Sequence, residues 1–256
     1  MVNSTLSVVY IVKNGGTLFS QSLASVQSIA NEIVVVDNNS TDTSAHTAQV
    51  HGARVYTNSA EHEGKLRQYA LSKAHSPWIL FLDHDEIVPI ALAVELKIIM
   101  QSDRSKHAYM IPYQNHLFGH TLKHAGETYA MLRFFKKGSV SVTDKQVHAN
   151  LVTKIQTGFT KNYLNHYSYT SLIQMFVKFT MYAKKHALEK YKKNEQVTIK
   201  KIFFYAPHLF WTRFVEEKGY LDGIQRIILD IGFAYMEFIT YMYLWYLHIR
   251  HSYGQK

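Results

Sequence analysis

The chain has 256 residues, 47% of them hydrophobic, which is enough for one large domain or two small ones with a real core. It contains no cysteine, which excludes disulfide bonds and thiolate metal sites. The formal net charge is +9, and the segment 178–201 alone holds eight lysines against two glutamates. No nucleic-acid-binding module is recognisable, so we expect no nucleic acid partner. The opening MVNSTLSVVYIV lacks a basic leader, so we expect no signal peptide and a cytosolic location.

Short β-branched runs alternate with helical patterns in the first 105 residues. LSVVYIV (6–12), EIVVVD (32–37) and WILFLD (78–83) are continuously apolar, as parallel strands covered on both faces should be. Apolar residues between these runs recur at helical spacing, and KLRQYALSKA (65–74) is a further helix candidate. These helices would form the crossover connections between the strands. The alternation predicts an α/β fold with a doubly wound, mostly parallel sheet.

Polar side chains follow three of these strands. The three clusters are Lys13-Asn14, Asp37-Asn38-Asn39-Ser40 and Asp83-His84-Asp85. Because doubly wound sheets bind ligands beyond the carboxyl ends of their strands, the clusters predict one site. VKNGGTLFS (12–20) contains neither G-x-G-x-x-G nor a P-loop, so we do not expect the backbone alone to cradle phosphate there.

Three acids stand together at the end of an apolar run. Asp83, Asp85 and Glu86 repel one another and lose hydration there, which opposes folding unless a positive charge is near. Asp83 and Asp85, two residues apart, can turn toward one divalent cation, whereas Glu86 suits a metal-side or helix-capping position. The alternative is a solvated strand end before the helix in IVPIALAVELKIIM (87–100), and an isolated D-x-D does not decide between them.

Six stretches, in order, resemble the family 2 glycosyltransferases with a GT-A fold, and within them the lipopolysaccharide-core β-glucosyltransferase branch. The stretches are LSVVYIVKN, NEIVVVDNNSTDTS, WILFLDHDE, LRFFKKG, NHYSYTSLIQMFVKFTMYA and GYLDGIQRIIL. The resemblance implies a metal-dependent, inverting hexosyltransferase that uses a nucleotide-sugar donor of the UDP type. It implies a lipid-linked or lipopolysaccharide-type glycan as acceptor.

The resemblance also implies roles for single residues. It places Asp83 and Asp85 on Mg²⁺ or Mn²⁺ at the donor diphosphate, with Asp85 essential to catalysis. It places Arg67 at the diphosphate, although a solvated helix charge is an equal alternative there. The donor-binding residues it implies are Lys13, Asn14, Asp37, Asn39, Ser40, Arg67 and Asp83.

The general base departs from the family pattern. Relatives carry V-H-E where this chain has VHANL, so Ala149 replaces an acid, and Tyr129 replaces another acid before LRFF. Glu127 is the nearest remaining carboxylate and is the predicted base, with a turn or surface acid as the alternative. Asp144 and His148 are weaker candidates.

Three histidines recur every four residues, which is zinc-binding spacing on a helix. His116, His120 and His124 are, however, interrupted by Gly119 and followed by Gly126, so we expect a loop or hairpin and no zinc site.

The last third of the chain is helical, aromatic and basic. The apolar run 224–251 is long enough to span a bilayer, but Arg226, Asp230 and Glu237 interrupt it, so we expect no full insertion. A helix lying in the membrane interface and a helix packed on the catalytic domain both remain open.

We predict a catalytic domain at 1–170, divided into a nucleotide-sugar half (1–105) and an acceptor half (106–170). A helical region at 171–256 would associate peripherally with the cytosolic face of a membrane. Two rival functions remain. A metal-dependent nucleotidyltransferase would also place paired acids at a sheet edge, and the loss of the acid at Ala149 is compatible with a catalytically degenerate, glycan-binding relative.

Overall fold

The structure is a computed structural model that describes residues 4–60, 62–102, 105–144 and 149–253. The strands are β1 Leu6–Val12, β2 Glu32–Asp37, β3 Arg54–Thr57, β4 Trp78–Asp83, β5 Glu86–Ile87, β6 Ala108–Leu117, β7 His120–Leu122, β8 Ala130–Lys136, β9 Ser141–Val142, β10 Leu151–Val152, β11 Gly158–Phe159 and β12 Leu164–Tyr169. The helices are α1 Gly16–Val26, α2 Ser44–Val50, α3 Glu63–Ser72, α4 Ile90–Gln101, α5 Leu172–Lys192, α6 Ile199–Trp211 and α7 Ile224–Tyr253.

The main sheet has the strand order β3-β2-β1-β4-β8-β6-β12-β5. Strands β3, β2, β1 and β4 are mutually parallel, and β8 pairs antiparallel with both β4 and β6. The predicted strands and their intervening helices are therefore present, and the predicted α/β class is confirmed.

Both faces of the sheet are covered, as the continuously apolar strands require. In β1, Val8 faces a core that includes Phe19 of α1 and Leu92 of α4. Its neighbour Val9 faces the opposite core, which includes Leu66 of α3. Successive side chains of one strand thus enter different cores, and the crossover helices lie on both sides of the sheet.

The histidine-rich segment is a hairpin, as predicted. Strands β6 and β7 pair with His116 opposite Thr121, joined through Phe118 and Gly119. Both linking residues have positive φ angles, 49° and 83°. Positive φ at both loop positions gives a turn whose twist matches that of the two strands, as in common two-residue hairpin loops. The segment is therefore not a helix, and the helical spacing of the three histidines does not arise.

The chain divides into two compact units, Met1–Gln114 with Tyr129–Tyr167 and Asn115–Thr128 with Ser168–Lys256. This differs from the predicted boundary at residue 170, because the segment 115–128 belongs to the second unit. There the backbone N–H of His124 donates to Asp222 Oδ2 at 2.8 Å, and Glu127 pairs with Arg226. Such distant pairings leave no local signal in the sequence.

The second unit contains the three long helices, and α7 packs against both α5 and α6. In the part of the chain that the structure describes, one helix, Ile224–Arg250, is long and apolar enough to cross a membrane. This test uses length and composition alone, and 33% of the qualifying window is buried within the protein. Arg226 and Asp230 near its start are fully buried, so this end of α7 is an internal packing element.

Candidate active site

The loops after β1 and β2 are joined by hydrogen bonds. Asn14 has a left-handed backbone (φ 55°), donates its backbone N–H to Ser40 Oγ at 3.0 Å, and accepts the Thr41 N–H on Oδ1 at 2.7 Å. Asn39 is also left-handed (φ 54°), a conformation that asparagine tolerates. With the exposed Lys13, four predicted donor-binding residues lie together at this edge of the sheet. Their role in binding stays a prediction.

The amide groups at the start of α1 are already used within the protein. Gly15 donates its N–H to Ser44 Oγ at 2.9 Å, and Gly16 donates to Asp42 Oδ2 at 3.1 Å. These two amides are therefore not free to cradle phosphate.

Asp37 presents an unsatisfied oxygen at the end of β2. The residue is 6% exposed, and its Oδ2 accepts the Ser40 N–H at 3.2 Å. Its Oδ1 is the single buried side-chain nitrogen or oxygen without a hydrogen-bond partner among the residues that the structure describes. Because an unpaired buried acceptor costs free energy, this atom requires a donor that the described residues do not supply.

The register of the parallel strands sets the distance between two predicted site residues. Asp37 pairs with Val12 of β1, and Asp83 pairs with Ile11 of the same strand. Two strand spacings therefore separate the aspartates, which puts their Cα atoms roughly 10 Å apart along the site edge.

Asp83 is held by two arginines of the first unit. It accepts a hydrogen bond from Arg133 Nη2, and its Oδ1 lies 3.8 Å from Arg67 Nη2. Burial would raise the pKa of Asp83, but the Arg133 and Arg67 guanidiniums outweigh it and hold this pKa well below its usual range. The carboxylate is therefore ionised at neutral pH, and 34% of its side chain remains exposed.

Glu86 lies behind Asp83 and is fully buried. It accepts hydrogen bonds from Tyr113 Oη, from Arg133 Nη2 at 2.6 Å and from the Asp83 N–H at 3.0 Å. Burial raises the pKa of Glu86 to about 8 against the opposing charge of Arg133. Of the two positions expected for Glu86, helix capping is wrong, because α4 has Pro89 at its N-cap and the Glu86 side chain is buried against Arg133, whereas the metal-side position stays a prediction.

Arg133 supplies the positive charge that the acid cluster requires, and it was not predicted. It is 4% exposed, pairs with both Asp83 and Glu86, and donates from Nε to Tyr113 Oη at 2.6 Å. The sequence did offer a signal for this pairing, which is an arginine in the middle of the apolar strand β8. A buried arginine needs carboxylate partners, and the acids after β4 needed a positive charge nearby. The pairing of Leu80 with Phe134 brings the two strands into this register.

Asp85 stands two residues beyond Asp83, with 12% of its side chain exposed. Its Oδ1 lies 3.9 Å from His166 Nε2, and its carbonyl accepts the Tyr167 N–H at 2.9 Å. Within the described ranges no three His, Cys, Asp or Glu side chains form a complete metal site. Two carboxylates that leave further positions to water and phosphate oxygens are, however, the donor set that suits Mg²⁺ or Mn²⁺ beside a diphosphate. The residues present fit such a cation.

A cavity of about 630 Å³ opens beside Asp83 in the first unit. Arg67 and Arg133 line one part of it, and residues 149–153, beginning with the buried Ala149, line another. Glu63 and Asp83 line the cavity as well, so each of the two guanidiniums lies beside a carboxylate with which it pairs.

Arg67 is not the solvated helix charge that was its alternative, because its side chain is only 14% exposed. Its Nε and Nη2 both donate to Glu63 Oε1, at 3.0 and 2.9 Å, and its guanidinium lies over the Phe81 ring. These contacts fix the guanidinium at the cavity wall, where its predicted contact with a diphosphate stays a prediction.

Glu127, the predicted base, lies in the second unit among charged partners. Its Oε1 accepts hydrogen bonds from Arg213 and Arg226, each at 3.1 Å, and its Oε2 accepts one from Asn115 Nδ2 at 3.1 Å. Burial raises the pKa of Glu127 although both arginines oppose the shift. A raised pKa suits a general base, whereas a carboxylate that already accepts three side-chain hydrogen bonds suits a structural ion-pair cluster.

Asp144 and His148 are the weaker base candidates. Asp144 is 84% exposed at its side chain and lies 3.3 Å from His62 Nε2. His148 lies outside the described residues. Asp144 therefore lies largely in solvent.

Comparison with known proteins agrees with this geometry. A family model described as "Glycosyl transferase family 2" matches residues 7–215. An uncharacterized glycosyltransferase of Rickettsia prowazekii is 26% identical over 250 residues, which are 91% of this chain and 84% of the relative. Another from Rickettsia conorii is 24% identical over 247 residues, with 91% and 87% covered.

Solved structures resemble part of the chain. Mannosyl-3-phosphoglycerate synthase from Rubrobacter xylanophilus is 22% identical with a TM-score of 0.40, over 44% of this chain and 41% of that one. Glucosyl-3-phosphoglycerate synthase from Mycobacterium tuberculosis, solved with Mn²⁺, UDP and glucosyl-3-phosphoglycerate, is 20% identical with a TM-score of 0.36, over 44% of each chain. The similarity thus spans less than half of either synthase.

The family match covers most of the chain, and the sheet order and the polar edge beyond β1, β2 and β4 agree with it. The predicted GT-A fold with a C-terminal helical region is confirmed. The chain belongs to glycosyl transferase family 2.

Proposed function

We propose that the protein is a hexosyltransferase that moves a sugar from a UDP-type donor to a lipid-linked or lipopolysaccharide-type glycan, with inversion at the sugar carbon. The observation that carries the donor class is Asp37 Oδ1, a buried acceptor without a partner among the described residues at the edge of the sheet. The imide N–H of uracil or a ribose hydroxyl would satisfy it. The family membership supports glycosyl transfer as the reaction class.

The spacing of the site supports a nucleoside diphosphate. Asp37 and Asp83 lie roughly 10 Å apart, which is comparable with the reach from a nucleobase to the phosphates of such a ligand. At the Asp83 end, Arg67 and Arg133 line the cavity and would bind phosphate oxygens. At the Asp37 end, Lys13 and Asn14 would frame the nucleoside.

Asp83 and Asp85 would hold Mg²⁺ or Mn²⁺. When bound, the cation stabilises the negative charge that accumulates on the departing nucleoside diphosphate. The low pKa of Asp83 keeps this ligand ionised at neutral pH, and Arg133 fixes its orientation through the second carboxylate oxygen.

Replacement of Asp37 by asparagine is expected to weaken UDP binding by roughly tenfold to a hundredfold, because a ligand donor would lose its hydrogen bond to a charged acceptor. Isothermal titration of UDP against the purified variant measures this without any sugar transfer. Asp144→Asn, which neutralises an exposed acid of the same unit, is the matched control and should bind UDP normally. Unchanged affinity in Asp37→Asn would move the nucleoside away from β2.

Replacement of Glu127 by glutamine is expected to lower kcat by about a hundredfold or more while leaving donor affinity unchanged, if this carboxylate takes the proton of the acceptor hydroxyl. Steady-state kinetics and thermal unfolding should be measured on the same sample. A lower unfolding midpoint with normal kcat for the folded fraction would assign Glu127 to the arginine cluster alone, and the base would lie elsewhere.

The product released distinguishes this proposal from its rivals. Incubation with candidate UDP-sugars, Mn²⁺ and a lipid-linked acceptor should release UDP. Pyrophosphate release from a nucleoside triphosphate would instead indicate a nucleotidyltransferase, and binding without turnover would indicate a degenerate relative. The same proposal places the protein on the cytosolic face of the membrane, because a cytosolic nucleotide sugar must meet a lipid-linked acceptor. It also includes membership in the lipopolysaccharide-core β-glucosyltransferase branch.

A further inference from the structure

Helix α5 of the second unit carries an apolar stripe that no described part of the chain covers. Ile173, Val177, Met181 and Leu188 are between 42% and 79% exposed. Their spacing places them on one face of the helix. The opposite face is the one that packs in the core, through Met175, Phe179, Ala183 and Ala187.

Helix α6 of the same unit is apolar around most of its circumference and is covered on only one side by the described residues. Ile202 and Ala206 are buried, whereas Phe203, Phe204 and Trp211 are 60%, 65% and 56% exposed. Three uncovered aromatic side chains on one short helix are costly in water.

Two shallow grooves extend these surfaces. One, of about 500 Å³, lies between α6 and α7 and is lined by apolar side chains such as Phe203 and Phe238. The other, of about 490 Å³, runs along α5 from Leu172 to Lys184. Soluble monomers rarely expose so much contiguous apolar surface without a partner.

The charges beside these surfaces identify the partner. Lys184 and Lys185 flank the α5 stripe, and three more lysines are exposed at the end of α5 and in the first turn of α6: Lys192, Lys193 and Lys200. A second copy of the chain would bring the same lysines to the interface, which like-charge repulsion opposes. An anionic lipid surface offers both an apolar layer and negative headgroups.

Helix α7 does not need to leave the protein for this. Its Arg226 and Asp230 are fully buried and pair at 2.8 Å, with Arg213 and Glu127 beside them. Removal of these charges into lipid would be costly, so α7 remains the internal support on which α5 and α6 pack.

We infer that the outer faces of α5 and α6 bind an anionic bilayer, with their apolar side chains at the boundary between headgroups and acyl chains and with the lysines on the headgroups. This deepens the proposed function and rests on it, since a lipid-linked acceptor is reached at such a surface. Its test uses no donor sugar, so its failure and the failure of glycosyl transfer are separate results.

Binding is measured by co-sedimentation with vesicles of phosphatidylcholine and phosphatidylglycerol in a three-to-one ratio, with pure phosphatidylcholine vesicles for comparison. The wild-type chain should bind the anionic vesicles, and high salt should release it. Phe203→Ser with Phe204→Ser should lower the partition coefficient at least about tenfold. Lys184→Ala with Lys185→Ala should lower it roughly tenfold to thirtyfold.

The matched control lies on α4 of the first unit, which also exposes apolar residues at helical spacing but lacks the lysine cluster. Ile90→Ser with Ile98→Ser, at positions 85% and 61% exposed, should bind vesicles like the wild type. Equal losses in the control and in the α6 variant would overturn the assignment, because they would show non-specific apolar adhesion.

Tryptophan fluorescence gives an independent readout. Of the three tryptophans, Trp78 is buried, and Trp211 and Trp245 are about half exposed. In a Trp245→Phe background, anionic vesicles should shift the emission of Trp211 to shorter wavelength. Three results would each overturn the inference. The first is the absence of this shift, and the second is retention of the protein on membranes after carbonate extraction. The third is a concentration-dependent dimer that Phe203→Ser with Phe204→Ser abolishes.

Discussion

Replacement of Asp85 by alanine is expected to lower kcat for glycosyl transfer by at least about a thousandfold while leaving the midpoint of thermal unfolding nearly unchanged. The proposed cation at the departing nucleoside diphosphate would lose one of its two carboxylate ligands. The fold would lose little, because the Asp85 carboxylate lies 3.9 Å from His166 Nε2, which is beyond hydrogen-bond distance.

The same substitution at Asp83 is a poorer test, because Asp83 also balances the buried Arg133. Its removal would lower stability and activity together. Asp144→Ala is the matched control for Asp85→Ala, since it removes an acid of the same unit that is 84% exposed. Coupled assay of UDP release and differential scanning calorimetry measure both quantities. Full activity in Asp85→Ala would refute the metal role.

Replacement of Arg226 by alanine is expected to have the largest effect on stability, about 3–5 kcal/mol for unfolding of the second unit. The guanidinium is fully buried, pairs with Asp230 and Glu127, and donates to the carbonyls of His124 and Ala125. Its loss leaves Arg213 as the described arginine that pairs with both Asp230 and Glu127, and both carboxylates are largely buried.

Urea unfolding followed by tryptophan fluorescence measures this effect, since Trp211 and Trp245 both lie in the second unit. Combination of Arg226→Met with Asp230→Leu should recover a large part of the loss, because no buried charge is then left from that pair. Lys190→Met is the control: it breaks the more exposed pair with Glu195 and should cost less than about 1 kcal/mol. If Arg226→Ala and Lys190→Met lowered the free energy of unfolding by similar amounts, burial of the Arg226 pair would not be the cause of its large effect.

Local sequence patterns made the parallel part of the sheet predictable. Strands β1, β2 and β4 are continuous β-branched or aromatic runs, and the polar residues that follow them must lie at one sheet edge if the strands are parallel. Sequence alone therefore predicts that Asn14, Asp37 and Asp83 lie at the same edge. The turn at Phe118-Gly119 was similarly predictable, because a glycine beside a short apolar strand favours a hairpin over a helix.

Contacts between distant residues were not predictable in the same way. Arg133 is 50 residues from Asp83, and only the register of β8 against β4 brings them together. Glu127 is 99 residues from Arg226, so its surroundings, and the membership of 115–128 in the second unit, carry no local signal. The exposure of Phe203 and Phe204 could not be predicted from the sequence either, since the pattern of an aromatic helix does not show which of its side chains are covered by other elements.

The most direct test of the central claim is isothermal titration of the wild-type protein with UDP, in Mn²⁺ and again in excess chelator. The account predicts that Mn²⁺ raises UDP affinity by at least about tenfold and that Asp85→Ala removes this gain. Binding of UDP that is equally tight in chelator, or no binding of UDP or any UDP-sugar in either buffer, would contradict it.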